Sequence, residues 1–157
     1  MLNIRIIAAG RIKEPFLQQG IQGYKKRLSP YARLEIKDIR EQPLPEAAGE
    51  KEIASALAKE KEQVEKLLRR SSFKIVLAIE GELYSSEELA QKIKSMAVSG
   101  QSEFDIIIGG PVGLHSSLKQ KADLLLSFSR LTFPHQLMRL LLLEQLYRSF
   151  KIIRGEF

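Results

Sequence analysis

Residues 104–154 constrain the fold of this chain more than any other stretch. They read FDIIIGGPVGLHSSLKQKADLLLSFSRLTFPHQLMRLLLLEQLYRSFKIIR. Phe104–Ile108 is a short run, apolar apart from Asp105 and closed by glycine, which suits a strand buried on both faces. At Gly109-Gly110-Pro111-Val112-Gly113 a side-chain-poor backbone turns sharply and can lie close to a ligand. A second apolar run, Leu124–Phe128, leads into Ser129-Arg130-Leu131-Thr132-Phe133. Pro134 then stands where a helix begins, because its missing N–H is no loss there. The pattern is helical from that point to Arg154. Two strands that each end in a small or polar loop before a helix are how open α/β proteins build ligand clefts.

The rest of the chain repeats this strand–helix alternation. Asn3–Ala9 reads as a first strand, ended by Gly10 and followed at once by Arg11 and Lys13. Pro15 opens a helix to Leu28 whose closing cations Lys25-Lys26-Arg27 suit the helix dipole. A structural role for them is favoured over RNA binding. Leu34–Ile39 alternates as a half-exposed strand does, and Glu41–Gly49 is a loop. Glu50–Arg70 is amphipathic, with Ile53, Leu57, Val64, Leu67 and Leu68 as the buried stripe and its Glu and Lys residues as a solvated face. Phe73–Ile79 is a further buried strand. Ser85 and Glu88 form a capping box for a helix to Val98, and Gly100 ends it. The fold class is therefore α/β, a mostly parallel sheet flanked by helices, in one domain over residues 1–157.

The last helix is apolar around most of its circumference, through Leu137, Met138, Leu140–Leu143, Leu146, Tyr147 and Phe150. Such a helix must be covered on two sides. One side can face the sheet and the other a second subunit, so a homodimer through this helix is expected.

Composition bears on partners. Lys and Arg number 25 against 19 Asp and Glu, a net charge of +6. That excess suits an anionic partner, nucleic acid first, or serves only as a solvated surface. The absence of cysteine excludes thiolate catalysis and disulfides. The N-terminus has no signal-peptide pattern, and Leu140–Leu143 is far too short to span a membrane. A cytoplasmic location with no membrane partner follows as an expectation.

The chemistry-bearing residues leave several readings open. Two histidines, His115 and His135, cannot build a histidine-rich metal site, and no metal is expected. His115 stands at a helix start, where capping is the commoner role. His135 lies in the first turn of the last helix, whose dipole favours a neutral imidazole able to accept or relay a proton. A satisfied structural histidine is the competing reading. GGxxG at Gly109–Gly113 is neither a Walker loop nor a dinucleotide fingerprint, and a bare turn explains it as well. Gly10-Arg11-Ile12 is not the glycine loop of a dehydrogenase, and no Ser–His–Asp grouping is convincing.

Three longer motifs carry a resemblance. LAIEGE at Leu77–Glu82, IGGPVGLH at Ile108–His115 and SFSRLTFPHQLMR at Ser127–Arg139 resemble the ribosomal RNA large subunit methyltransferase H family, small enzymes of the SPOUT class. IRIIAAGRIKE, YKKRL and EQLYRSFKIIRGE extend the likeness over essentially the full length. The resemblance implies a C-terminal trefoil knot, a homodimer and S-adenosylmethionine as cofactor. It further implies methylation of N3 of a pseudouridine in large-subunit (23S) rRNA within the assembled 70S ribosome. Carried over by motif, it places Leu77, Gly109, Phe128, Ser129, Arg130, Leu131, Thr132 and Phe133 around the cofactor, with Gly81 and Gly113 shaping the site. Removal of the N3 proton calls for a base or a cation, for which His135 and Arg130 are the local candidates. The family ends in Tyr-His and a basic residue where this chain reads Gly155-Glu156-Phe157. Cofactor binding with weakened turnover is the expectation drawn from that departure, and a non-catalytic ribosome- or RNA-binding dimer is the alternative.

Overall fold

The computed structural model describes residues 1–156. Five strands are laid down as β1 (Leu2–Ala9), β2 (Ala32–Ile39), β3 (Phe73–Leu83), β4 (Glu103–Ile108) and β5 (Leu124–Ser127). Between and after them run α1 (Pro15–Leu28), α2 (Glu50–Leu67), α3 (Ser86–Val98), α4 (Ser116–Gln120) and α5 (His135–Ile153). The strands form one sheet in the order β2-β1-β4-β3-β5, and all its pairings are parallel. Crossovers running one way along the sheet place α1 and α3 on one face; those running the other way place α2 and α4 on the opposite face. A single crossover hand requires this arrangement.

The continuous apolar run in β4 is explained by its central place. Ile106 and Ile108 pack toward α1, α3 and α5, while Ile107 packs toward Val64 of α2 and Leu118 of α4. All three are almost wholly removed from water, which contributes roughly 1.5–3 kcal/mol per side chain. Helix α5 lies between α1 and α3: Leu140 sits over Gly20, Tyr24 meets Tyr147 and Ser86 donates to Gln145. Much of its apolar girth is thereby covered within one chain. Leu137, Leu141 and Ile152 remain half-buried on the outer side.

Three sequence expectations need correction. Helix α2 stops at Leu67 rather than Arg70, because Arg69 leaves the helix to serve the sheet. Its backbone N–H donates to Asp105 Oδ2 at 2.7 Å and its Nε to Asp105 Oδ1 at 2.9 Å. The acidic and basic side chains of α2 are not uniformly solvated either. Glu60 is only 4% exposed and accepts from the Gln42 N–H at 3.2 Å, so burial raises its carboxyl pKa. Strand β3 continues past Ile79 to Leu83, with an irregularity: Leu126 is paired first with Leu77 and again with Glu82. The backbones approach so closely there that a Cβ on Gly81 would lie 2.6 Å from the Leu125 carbonyl oxygen.

The capping box stands as expected, with the Glu88 N–H donating to Ser85 Oγ at 3.0 Å and the Ser85 N–H to Glu88 Oε1 at 2.8 Å. The cations Lys25, Lys26 and Arg27 occupy the last turn of α1. Phe157, the end of the chain-terminal departure noted above, lies outside the described residues.

Candidate active site

From β1 the chain crosses toward β2, and from β4 it crosses the opposite way toward β5, so the connections diverge between β1 and β4. Ligands of open α/β sheets bind at the carboxyl ends of strands near such a point. A cleft of about 240 Å³ opens on that edge, among the loops that follow β3, β4 and β5. Its volume is toward the small end for a ligand site.

Leu77 and Ile108 bring apolar walls from β3 and β4, and Phe128, Phe133 and Met138 close the cleft from the last loop and α5. Gly109 lines it where the backbone folds over itself, as a Cβ there would lie 2.8 Å from the Gly113 carbonyl oxygen and from Leu114 Cγ. The loop closes through the Gly113 N–H to the Gly110 carbonyl at 3.0 Å, with Gly113 at φ +87°. That conformation is open to glycine and strained for other residues.

The loop after β5 provides polarity through its backbone. Ser127 Oγ donates to the Ser129 carbonyl at 3.0 Å, and Ser129 Oγ accepts the Leu131 N–H at 2.9 Å. From Ser129 to Phe133, Leu131 is the only residue whose N–H has a protein acceptor among the described residues. Backbone donors left open beside an apolar wall can recognise the edge of a heterocycle, since such groups need partners once water is displaced. At the mouth, Lys119 pairs with Glu80, and this hydrogen bond holds the Glu80 carboxyl below its usual range.

The structure therefore brings together Leu77, Gly109, Phe128, Ser129, Leu131, Thr132 and Phe133, with Gly113 beside them. Arg130 is exposed and is not part of the lining. Gly81 acts from behind, at the close backbone approach to Leu125. His115 caps α4, its Nδ1 accepting the Ser117 N–H at 3.1 Å, as the capping reading anticipates.

His135 lines the cleft and is not a satisfied structural histidine. Its Nε2 is buried without a hydrogen-bond partner among the described residues, 3.8 Å from Glu41 Oε2. Burial lowers its pKa first, Arg139 lowers it further, and Glu41 opposes both. The neutral imidazole expected from the helix dipole is thus favoured chiefly by burial. Arg139, in the same turn of α5, is 4% exposed. It donates to Asp38 Oδ1 at 2.6 Å and to the Gly10 carbonyl at 3.0 Å, tying α5 to the ends of β1 and β2. Nothing in the local sequence signals that clamp, because its partners lie 101 and 129 residues away.

A parallel sheet with a cleft of glycine, serine and aromatic loops at its carboxyl edge defines an α/β protein built to hold a small ligand. The family described as "Predicted SPOUT methyltransferase" matches residues 2–157, and the chain belongs to that family. It is 49% identical over 156 residues to "Ribosomal RNA large subunit methyltransferase H" of Moorella thermoacetica, across 99% of this chain and 98% of the relative. The protein of the same name from Desulforamulus reducens is 47% identical over the same shares. In Methanococcus maripaludis a "Putative ribosomal RNA large subunit methyltransferase H" is 46% identical over 155 residues, 99% of this chain and 98% of the relative. Among solved structures, a probable methylase family protein from Haemophilus influenzae Rd KW20 shares the fold. Its TM-score is 0.57 at 16% identity, over 97% of this chain and 68% of that one. Among the described residues no helix is long and apolar enough to cross a membrane, and no group of three or more His, Cys, Asp or Glu side chains could hold a metal ion.

Proposed function

We propose that this protein methylates large-subunit ribosomal RNA, with S-adenosylmethionine as donor and N3 of a pseudouridine in the assembled ribosome as acceptor. The observation that carries the reading is the cleft at the carboxyl edge of β3, β4 and β5. It combines apolar walls with open backbone donors, in a chain nearly half identical to relatives named as large-subunit ribosomal RNA methyltransferases.

The donor supplies an electrophilic methyl group on a sulfonium. The protein must hold it in line with the attacking nitrogen, and positioning of this kind can supply much of the acceleration. Leu77, Phe128 and Phe133 exclude water and grip the apolar parts of the cofactor. The N–H groups of Ser129, Thr132 and Phe133 are placed to meet its polar edge. Gly109 leaves room for close approach. The nitrogen must lose its proton near the moment of attack, and His135 is the base, being neutral and without a hydrogen-bond partner at Nε2. Arg130, exposed at the rim, is suited to the RNA rather than to the cofactor.

The working form is a homodimer through the outer side of α5, where Leu141 and Ile152 await cover. The C-terminal region is knotted, a reading supported by the family to which the chain belongs. A monomer in sedimentation at micromolar concentration would remove the dimer. The activity is tested by incubating the protein with labelled S-adenosylmethionine and ribosomes lacking the modification, then mapping the label. Methyl at N3 of a large-subunit pseudouridine is the expected result. Intact cofactor and ribosome binding without transfer would favour a non-catalytic RNA-binding dimer.

A further inference from the structure

A second and larger cleft, about 950 Å³, lies on the same edge of the sheet, at the ends of β1 and β2. The first turn of α5 is the partition between the two. Pro134 and Gln136 line the second cleft while His135 lines the first. The buried Nε2 of His135 is near this side: Glu41 Oε2 is 3.8 Å away, and a Cβ on Gly10 would lie 3.7 Å from it. Both Glu41 and Gly10 line the second cleft.

Its charges are unevenly satisfied. Of the acids, Asp38 is engaged by Arg139, Glu41 stands near His135, and Glu14 is exposed without an ion-pair partner among the described residues. Arg11, Lys13 and Arg40, all exposed and all lining the cleft, have no ion-pair partner among the described residues. Beside them the Phe16 ring is 66% exposed at the start of α1. Free cations around an uncovered aromatic ring match single-stranded nucleic acid, in which phosphates meet the charges and a base stacks on the ring.

We propose that this cleft is a nucleotide subsite for the RNA strand next to the methylated base, with Phe16 as the stacking platform and Arg11, Lys13 and Arg40 as phosphate contacts. The assignment rests on the reading of the protein as an RNA methyltransferase, and it adds how this domain grips its strand. The subsite holds the neighbouring nucleotide beside Gly10, and the target base reaches over the first turn of α5 into the first cleft, where it meets the cofactor. A second copy of the chain is the competing occupant, since Leu137 also lines the cleft, but three unpaired cations against the one unpaired acid Glu14 favour a polyanion.

The test uses fluorescence anisotropy with a labelled single-stranded hexaribonucleotide and its fully abasic counterpart. Wild type is compared with F16A and with R11Q/R40Q, three surface substitutions. F16A is expected to weaken the hexamer about tenfold while leaving the abasic strand unchanged, because only the former has bases to stack. R11Q/R40Q is expected to weaken both strands and to flatten the dependence of log affinity on log salt by about 1.4, two contacts at roughly 0.7 each. All variants should keep wild-type affinity for S-adenosylmethionine. Hexamer affinity unchanged in both variants would overturn the subsite. So would a shift of F16A toward monomer in sedimentation with RNA affinity intact, which would give the cleft to a second copy. Absence of methyl transfer by wild type, with the hexamer results as expected, would remove the methyltransferase reading and leave the subsite supported.

Discussion

Replacing Asp105 with Ala should unfold this protein far more readily without touching the cleft at the carboxyl edge of the sheet. Asp105 is fully buried at the start of the central strand, at the end of the sheet opposite the cleft. Its carboxylate accepts the Arg69 backbone N–H at 2.7 Å, Arg69 Nε at 2.9 Å and Ser72 Oγ at 2.6 Å. Arg69 also donates to the Phe104 and Asn3 carbonyls at 2.8 and 3.3 Å, so one group ties the end of α2 to β1 and β4. Three hydrogen bonds to a charged acceptor have a nominal sum well above 4 kcal/mol, but they share partners and do not add. Removing one member of a buried pair costs about 3–5 kcal/mol, because the other charge loses its counterpart. Here Arg69 keeps Glu103 at 3.4 Å and is 17% exposed, which argues for the lower end, about 3 kcal/mol. For a chain of this size that lowers Tm by roughly 6–12 °C. Urea unfolding followed by circular dichroism at one fixed protein concentration measures the loss. Calorimetric titration of the folded variant with S-adenosylmethionine should give the wild-type affinity. A loss below about 1 kcal/mol would show that the network does not hold the sheet in the way its geometry implies.

At the cleft, Gly109→Ala presses a methyl against the Gly113 carbonyl, which is backbone and cannot swing away. Cofactor affinity by calorimetry should fall about 10- to 100-fold, the scale of a sub-ångström to ångström misplacement in a closed site. His135→Ala should lower single-turnover methyl transfer about 10²- to 10⁴-fold with cofactor affinity unchanged; full turnover would dismiss it as the base. Because His135 has a depressed pKa in the folded protein, the unfolded chain takes up its proton first as pH falls. Its contribution to stability is therefore present above the unfolded value, near 6.5, and shrinks below it; a urea midpoint of His135→Ala that falls with acid as steeply as wild type's from pH 7.5 to 5.5 would refute this. Glu60 behaves oppositely: its raised pKa makes ionisation costly, so Glu60→Gln should raise the urea midpoint at pH 7.5 and lose that advantage near pH 4.

What the sequence made legible was local. The run Phe104–Ile108 announces a strand covered on both faces, and Ser85 with Glu88 announces a helix start, because each signal and its physical cause lie within a few residues. The loops after β4 and β5 belong to the same class: glycine, serine and a helix-opening proline mark where the strands end, and these loops line the cleft. Contacts between distant segments were not legible. Arg69 and Asp105 are 36 residues apart, and without that pair α2 reads three residues too long. Glu60 looks like one more solvated acid of α2 until Gln42, from the preceding loop, is laid over it. Arg11, Lys13, Phe16 and Arg40 are separated in sequence and form a surface only when β1 and β2 end side by side, and Phe16, which reads as part of the apolar side of α1, is exposed there.

Buried polar groups without partners occur at both ends of the sheet, Arg5 Nε beside Asp105 at the amino-terminal end and His135 Nε2 and Arg139 Nε at the carboxyl end. At the amino-terminal end Asp105 is saturated with donors and the backbone of Arg69 is pinned, so the strands are fixed in register there. At the carboxyl end His135 Nε2 and Arg139 Nε are buried with no protein partner among the described residues. Buried polar groups without partners cost stability, and natural proteins keep few of them. Those at the carboxyl end are tolerable when the opposite end over-determines the fold and when a ligand restores the missing partners on binding. The Arg139 clamp to Asp38 and Gly10 then has a clear purpose: it holds the partition between the two clefts rigid while His135, four residues earlier on the same helix, stays unpaired.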